Sequence, residues 1–318
     1  MKRKIALVCA AAMALSLAAC GNTASTTSES TASESTASES SATAEAAGEE
    51  AAASDFDNTQ SITVITREEG SGTRGAFIEL TGVEEKNDAG EKVDNTSAGA
   101  ATQNSTNGVM TTVANDETAI GYISLGSLND TVKAVTVGGV AASAETVKDG
   151  TYTLARPFNI VTNGDATDPV AVDFINYCMS TDGQALATED GYIGSDDAAA
   201  FESTQPSGSI TVGGSSSVSP LMEKLIEAYE GVNPNASIEL LTTDSTIGVS
   251  GALDGTYTIG MASRELKDSE VEAGAKATVL AMDGIAVVVN PANPIEDLTI
   301  DQIKSIYTGE TTTWDAIQ

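Results

Sequence analysis

Apolar and polar positions fall into three regimes along the chain. Behind the basic start Lys2-Arg3-Lys4 an apolar run extends from Ile5 through Ala19, too short for a comfortable membrane span. From Gly21 to about Asn58 the pattern loses all periodicity. From about residue 60 onward short strand-like runs alternate with longer stretches of helical spacing, the signature of an α/β domain. Ser61-Ile62-Thr63-Val64-Ile65-Thr66 alternates as a half-buried strand and leads through a glycine-rich stretch into a helix at Ala76 to Leu80. Thr81 to Thr106 reads as a polar loop, followed by a helix around Asn107 to Ala114 and a strand at Thr118 to Leu125. Val172, Ile175, Cys178 and Met179 share one face of a predicted helix.

In the second half, Pro220 suits a first helical turn, and Leu221, Met222, Leu225, Ile226 and Tyr229 form the apolar stripe of an amphipathic helix ending near Gly231 and Pro234. Strand Ser237 to Leu241 precedes another loop and a helix through Val249 to Gly255. Ile285 to Asn290 is a buried-strand run. Thr299 caps a helix carrying Ile300, Ile303, Ile306 and Tyr307, and Gly309 ends it.

Composition sharpens the first two regimes. Residues 1–20 have the basic start, apolar run and small residues of a signal peptide, and Leu17-Ala18-Ala19-Cys20-Gly21 resembles the lipobox of bacterial lipoproteins. That resemblance implies a diacylated Cys20 and an extracytoplasmic chain anchored by lipid to the cell membrane. Residues 21–60 are Ser, Thr, Ala and Glu in loose repeats, unable to bury enough apolar surface to offset chain entropy, and read as a disordered tether. Of the other cysteines, Cys9 leaves with the signal peptide and Cys178 is a packed core thiol, so no intrachain disulfide forms in the globular part.

The formal net charge of −31 and the absence of histidine narrow the chemistry. The acidity argues against nucleic acid, and without His there is no evident general base, metal site or cofactor site, so the chain reads as a non-enzyme. A small anion is not excluded, because donors within a closed cleft outweigh net charge.

Arg67-Glu68-Glu69-Gly70-Ser71-Gly72-Thr73-Arg74 is the stretch with an anion-binding character. It joins strand to helix; Gly70 and Gly72 let the backbone approach a ligand, Ser71 and Thr73 add hydroxyls, Arg67 adds charge, and a helix N-terminus favours an anion. Ser215-Ser216-Ser217-Val218-Ser219-Pro220 opens a second helix in the same manner, and Thr242-Thr243-Asp244-Ser245-Thr246 a third.

These loops resemble those of the phosphate-binding proteins of bacterial ABC-type phosphate uptake systems. The resemblance continues through Ile120-Gly121-Tyr122, Leu154-Ala155-Arg156-Pro157-Phe158, Gly191-Tyr192 and Thr258 to Leu266, and covers nearly all of 61–318. It implies an α/β fold of the type II periplasmic-binding-protein kind, with two lobes and a hinge. Residues 61–195 resemble the family's second half and 209–318 its first, joined by a linker at 196–208, so the order is that of a circular permutant. The resemblance further implies inorganic phosphate held by Arg67, Glu69, Ser71, Gly72, Thr73, Ser216, Ser217, Ser245 and Arg264, and delivered to an ABC permease. Some members have Asp where Arg264 stands, which leaves Glu69 as the acceptor for a phosphate proton. Alternatives are a non-transport oxyanion sensor or scaffold, or a binder of sulfate or molybdate.

Overall fold

A computed structural model describes residues 56–317. The signal peptide, Cys20 and nearly all of the tether expected from the sequence lie outside the described residues.

In chain order, β1 (Thr63–Arg67) leads into α1 (Gly72–Leu80). The polar stretch that follows is not all loop. It holds β2 (Glu84–Lys86), β3 (Lys92–Asp94) and β4 (Ala101–Gln103): β2 and β3 pair as an antiparallel hairpin with Glu84 opposite Asp94, and β4 adds alongside β1. Next come α2 (Thr106–Ala114), β5 (Ala119–Ser124), β6 (Lys133–Ala134), β7 (Thr136–Val137) and α3 (Ala144–Lys148). β8 (Ala155–Asn163) is followed by α4 (Pro169–Cys178) and α5 (Thr181–Glu189). The second half runs β9 (Gly208–Ser215), α6 (Ser219–Val232), β10 (Ala236–Thr243), α7 (Ser245–Asp254), β11 (Ile259–Ala262), α8 (Asp268–Glu272), β12 (Ala275–Val289), β13 (Asp297–Leu298) and α9 (Ile300–Thr308).

The main sheet has the order β10-β9-β11-β8-β12-β5-β1-β4. β12 is 15 residues long and serves two neighbourhoods. Ala275 to Gly284 pair with β8, whereas Ile285 to Val289 pair with β5. The chain changes lobe at that point and again at Leu154, whose carbonyl accepts from Ile285 N at 2.7 Å. One lobe therefore contains residues 56–154 and 285–317, and the other the continuous stretch 155–284. Each has its own core: Phe77, Tyr122, Tyr307 and Trp314 in the first, and Phe158, Phe174, Leu221 and Tyr229 in the second.

Local signals were followed closely where the pattern was strong. The stripe of α6 is buried as a unit, Leu221, Met222, Leu225 and Tyr229 at 0% exposure, with Pro220 in its first turn. Thr299 and Gln302 form a capping box on α9, and Gly309 takes the left-handed conformation that stops it, φ 80°. For α4 the helix is correct but its face is not. Val170, Ala171, Phe174, Tyr177 and Cys178 are buried, and Val172 is 38% exposed. Asp173 is buried instead, because Ser203, Thr204 and the Tyr229 hydroxyl all supply it with donors. Those bonds also fasten the 196–208 segment, which otherwise runs mostly exposed.

The first and last described segments lie side by side. Ile62 N donates to Thr312 O at 2.8 Å, Ser61 bridges Thr313, and the Phe56 and Trp314 rings meet edge to face at 6.5 Å.

Candidate functional site

β1 delivers Arg67 to the sheet's end, where its side chain is 2% exposed. A buried guanidinium needs partners on every edge. Nε and Nη2 grip the Glu68 carboxylate at 2.8 and 2.7 Å, and Nη2 also donates to Ser216 Oγ at 3.1 Å. The backbone is fixed as firmly: Arg67 N donates to the Tyr122 hydroxyl at 3.1 Å, and its carbonyl accepts from Arg74 Nη1 at 2.8 Å. Arg74 is in turn held by Asp94 through Nε at 2.8 Å. Burial works against an ionised Asp94, but Thr96 and Arg74 outweigh it and hold the carboxyl below its ordinary range.

After Arg67 the chain turns sharply, Ser71 N donating to Glu68 O at 3.0 Å, and Ser71 caps α1 by accepting from Arg74 N. Glu68 still belongs to the ladder, its N–H bonded to Gln103 O, and so stays beside Arg67. Glu69 occupies the turn corner and is exposed. The carboxylate beside Arg67 is thus Glu68, whereas Glu69, which the resemblance implies as the acceptor for a phosphate proton, lies on the exposed turn.

The other lobe supplies the Ser216 and Ser245 loops. Ser217 Oγ lies 2.7 Å from Thr73 Oγ1 and 3.2 Å from Thr106 Oγ1. Ser215 Oγ donates to Ser263 Oγ at 2.9 Å, and Ser263 N donates to Ser245 Oγ at 3.0 Å. Asp244 caps α7 through Ile247 N. The glycines explain how the lobes come this close. A Cβ on Gly72 would stand 2.3 Å from Ser245 Oγ and 2.7 Å from Ser263 Oγ, and one on Gly70 would stand 2.5 Å from the Asp244 carboxylate. Gly70 O also accepts from Thr246 N across the cleft at 3.2 Å.

Arg67, Ser71, Gly72, Thr73, Ser216, Ser217 and Ser245 are therefore gathered around one interlobe cluster. Arg264 stands at its rim. Its fork is filled by Glu270 at 2.8 and 2.7 Å, so it touches the cluster only through Thr246 Oγ1 at 3.4 Å. Glu68, Thr106, Ser215 and Ser263 were not singled out from the sequence. Ser215 and Ser263 adjoin residues that were, and Thr106 follows the cap Ser105 of α2, so the local signal for each was a helix or strand end.

The lobe crossing lies beside this cluster. Arg156 and Asp283, 1% and 0% exposed at their side chains, pair at 3.0 Å; Ser124 Oγ donates to Asp283 at 2.9 Å, and Arg156 Nη1 donates to Ser263 O at 3.2 Å. Burial pushes the Asp283 carboxyl up to about 6 against the pull of Arg156. A groove of about 800 Å³ also opens between the lobes, with Gly75 and Leu80 on one side and Leu266 and Lys267 on the other, lined by none of the cluster's hydroxyls. Among the described residues no group of three or more His, Cys, Asp and Glu side chains is arranged to hold a metal ion, and no helix is long and apolar enough to cross a membrane.

Comparison with known proteins agrees with this architecture. The family model described as a PBP superfamily domain matches residues 26–182 and 199–317. Phosphate-binding protein PstS 2 of Streptococcus agalactiae serotype V is 51% identical over 254 residues, 80% of this chain and 87% of that protein. Phosphate-binding protein PstS 2 of Streptococcus pneumoniae serotype 4 is 44% identical over 269 residues, covering 84% and 91%. The crystal structure of a phosphate-binding protein of a phosphate ABC transporter from Streptococcus pneumoniae TIGR4 superposes with a TM-score of 0.65 at 43% identity, over 81% of this chain and 100% of that one. With a mixed α/β fold, a matching family model over most of its length and relatives at this identity, the chain belongs to the PstS-like phosphate-binding proteins of the PBP superfamily.

Proposed function

We propose that this protein captures inorganic phosphate between its two lobes and hands it to the permease of an ABC-type uptake system outside the cytoplasm. Proteins of this kind act by closing on a ligand rather than by chemical catalysis. The observation that carries the reading is the buried Arg67 guanidinium facing Ser216 across the cleft, ringed by hydroxyls from the Thr73, Ser217 and Ser245 loops. A charged fork with neutral donors on several sides suits a tetrahedral oxyanion. Helix starts at Gly72, Ser219 and Ser245 add N–H groups that favour negative charge.

Selectivity follows from the carboxylate beside that fork. Phosphate carries a proton at neutral pH and can donate it to Glu68, whereas sulfate has none and would leave a partly buried carboxylate facing an anion. In this assignment Glu68 takes the role that the resemblance gave to Glu69. Ser71, Gly72 and Thr73 supply donors from α1, and Arg264 steadies the rim through Thr246.

We further propose a circularly permuted segment order and a lipid anchor. The proximity of the first and last described segments, with Ile62 bonded to Thr312, is what a circular permutation of one domain needs, and the exposed 196–208 segment is a natural site for the new connection. The lipobox-like Leu17 to Cys20 supports tethering through a diacylated Cys20. Isothermal titration of the purified protein with phosphate, sulfate and molybdate tests the central reading. Tight binding of phosphate alone is expected, and equal or preferential binding of another oxyanion would overturn it.

A further inference from the structure

The sequence shows three strand-loop-helix units around the site, and the structure contains a fourth. β4 runs parallel to β1 with Gln103 opposite Arg67, so the helix that follows β4 begins beside the helix that follows β1. Its first residue is Thr106, 3% exposed, with Ser105 as cap accepting from Gly108 N. Thr106 Oγ1 is directed inward at Ser217 Oγ, 3.2 Å away, and Ser217 Oγ is the same atom that meets Thr73 Oγ1 at 2.7 Å.

These three hydroxyls have one more donor than they can use among themselves. Thr73, Thr106 and Ser217 each have one O–H to donate, and the three oxygens make only two contacts with one another. Two protons are used within the group. The third is buried among side chains that are 1 to 3% exposed, where an unsatisfied donor is costly. An acceptor oxygen placed against the trio completes it, and an oxyanion bound by Arg67 and the neighbouring helix starts brings such oxygens.

We propose that Thr106 is a phosphate-binding residue of this site, which makes α2 a fourth contributor and gives the lobe containing Arg67 a second hydroxyl beside Thr73. The inference rests on the phosphate reading above and adds a ligand group that neither the motif nor the resemblance assigns. It also gives closure a specific reward: Ser217 belongs to one lobe and both threonines to the other, so the hydroxyl trio assembles only when the lobes meet.

The test is calorimetry of the full chain with inorganic phosphate on wild type, Thr106→Val, Thr106→Ser and Arg67→Ala. Thr106→Val keeps the shape and removes the hydroxyl; its Kd is expected to rise about tenfold, equivalent to about 1.4 kcal/mol. Thr106→Ser, which restores the hydroxyl, is expected within about threefold of wild type. A Val variant that binds as tightly as wild type would overturn the role of Thr106, as would a Ser variant that loses as much as the Val variant, since the methyl group would then be what matters. Should Thr106→Val fail to fold, Thr106→Ala against Thr106→Ser decides by the same criterion. Absence of phosphate binding by wild type overturns the functional reading itself, an outcome distinct from wild-type binding with an unaffected Val variant.

Discussion

Arg67 Nη2 donates to Ser216 Oγ at 3.1 Å across 149 residues of sequence, joining the end of β1 in one lobe to the end of β9 in the other. Each strand leads through a turn of three or four residues into a helix. The contact depends on closure, so the charge of Arg67 is aimed by its own strand and completed by the opposite lobe.

Replacing Arg67 with alanine should abolish measurable phosphate binding, a loss of about 2 to 5 kcal/mol for removing one partner of a buried charged contact. Glu68 would then face the site without its cation. Titration calorimetry checks this, and unchanged affinity would sink the site assignment.

The two acidic residues of the motif separate cleanly. Glu68→Gln removes the carboxylate on Arg67 and supplies an amide that can donate, so the preference for phosphate over sulfate should narrow. Glu69→Gln changes an exposed turn position and should leave that preference as it is. Competition between the two anions at pH 7 measures both, and the reverse ranking would return the acceptor role to Glu69.

Gly72→Ala tests how closely the lobes must approach. A methyl there meets Ser245 Oγ at 2.3 Å and Ser263 Oγ at 2.7 Å, which closure cannot accommodate without a shift. Phosphate affinity should fall by at least about tenfold, 1.4 kcal/mol, with little change in thermal stability. Small-angle scattering with phosphate should show a variant that stays open; a compact variant with full affinity contradicts the geometry.

The Arg156–Asp283 pair ties the crossing strands to Ser263. Arg156→Met leaves a buried carboxylate without its counter-charge and should destabilise the fold by about 3 to 5 kcal/mol at pH 7, whereas the double variant Arg156→Met with Asp283→Leu should cost far less. Urea unfolding compares them. The pH dependence has a definite sign. The Asp283 carboxyl is raised from 3.8 to about 6, so the folded state holds its proton more tightly than the unfolded state. Its contribution therefore favours folding at low pH and is lost as pH rises from the unfolded value through about 6. Relative to Asp283→Asn, wild type should lose stability across that window, and a flat or rising difference would show that the attraction of Arg156 matches or outweighs the cost of burial.

Cys178 is at 0% exposure, and burial pushes its thiol well above the ordinary value. It should resist alkylation in the native protein and react at once in denaturant. Rapid labelling of the folded chain would show that α4 opens readily.

Much of the site was legible because its parts are local. A strand of alternating residues, a glycine-rich turn and a helix cap are written within about ten positions, and the energetics that select them act over one or two turns of chain. The α6 stripe, the Thr299 cap, the Gly309 stop and the loops at Arg67, Ser216 and Ser245 all belong to this class. Even the burial of Cys178 followed from helical spacing, although the face was displaced.

Tertiary structure decided what depends on partners distant in sequence. Asp173 is buried and Val172 exposed because Ser203, Thr204 and Tyr229 bring donors to the carboxylate, a balance that no window of the helix contains. Glu68 rather than Glu69 meets Arg67 because pairing with Gln103 prolongs the strand by one residue before the turn. Arg264 is drawn from the cluster by Glu270, and Thr106 is drawn into it by the parallel placement of β4 on β1. The sequence by itself determined which loops carry hydroxyl and N–H donors at a helix start. Only the packing of the lobes determined which of those side chains meet in one cluster, since charge and hydrogen bonds act over a few ångströms of space, whatever the separation along the chain.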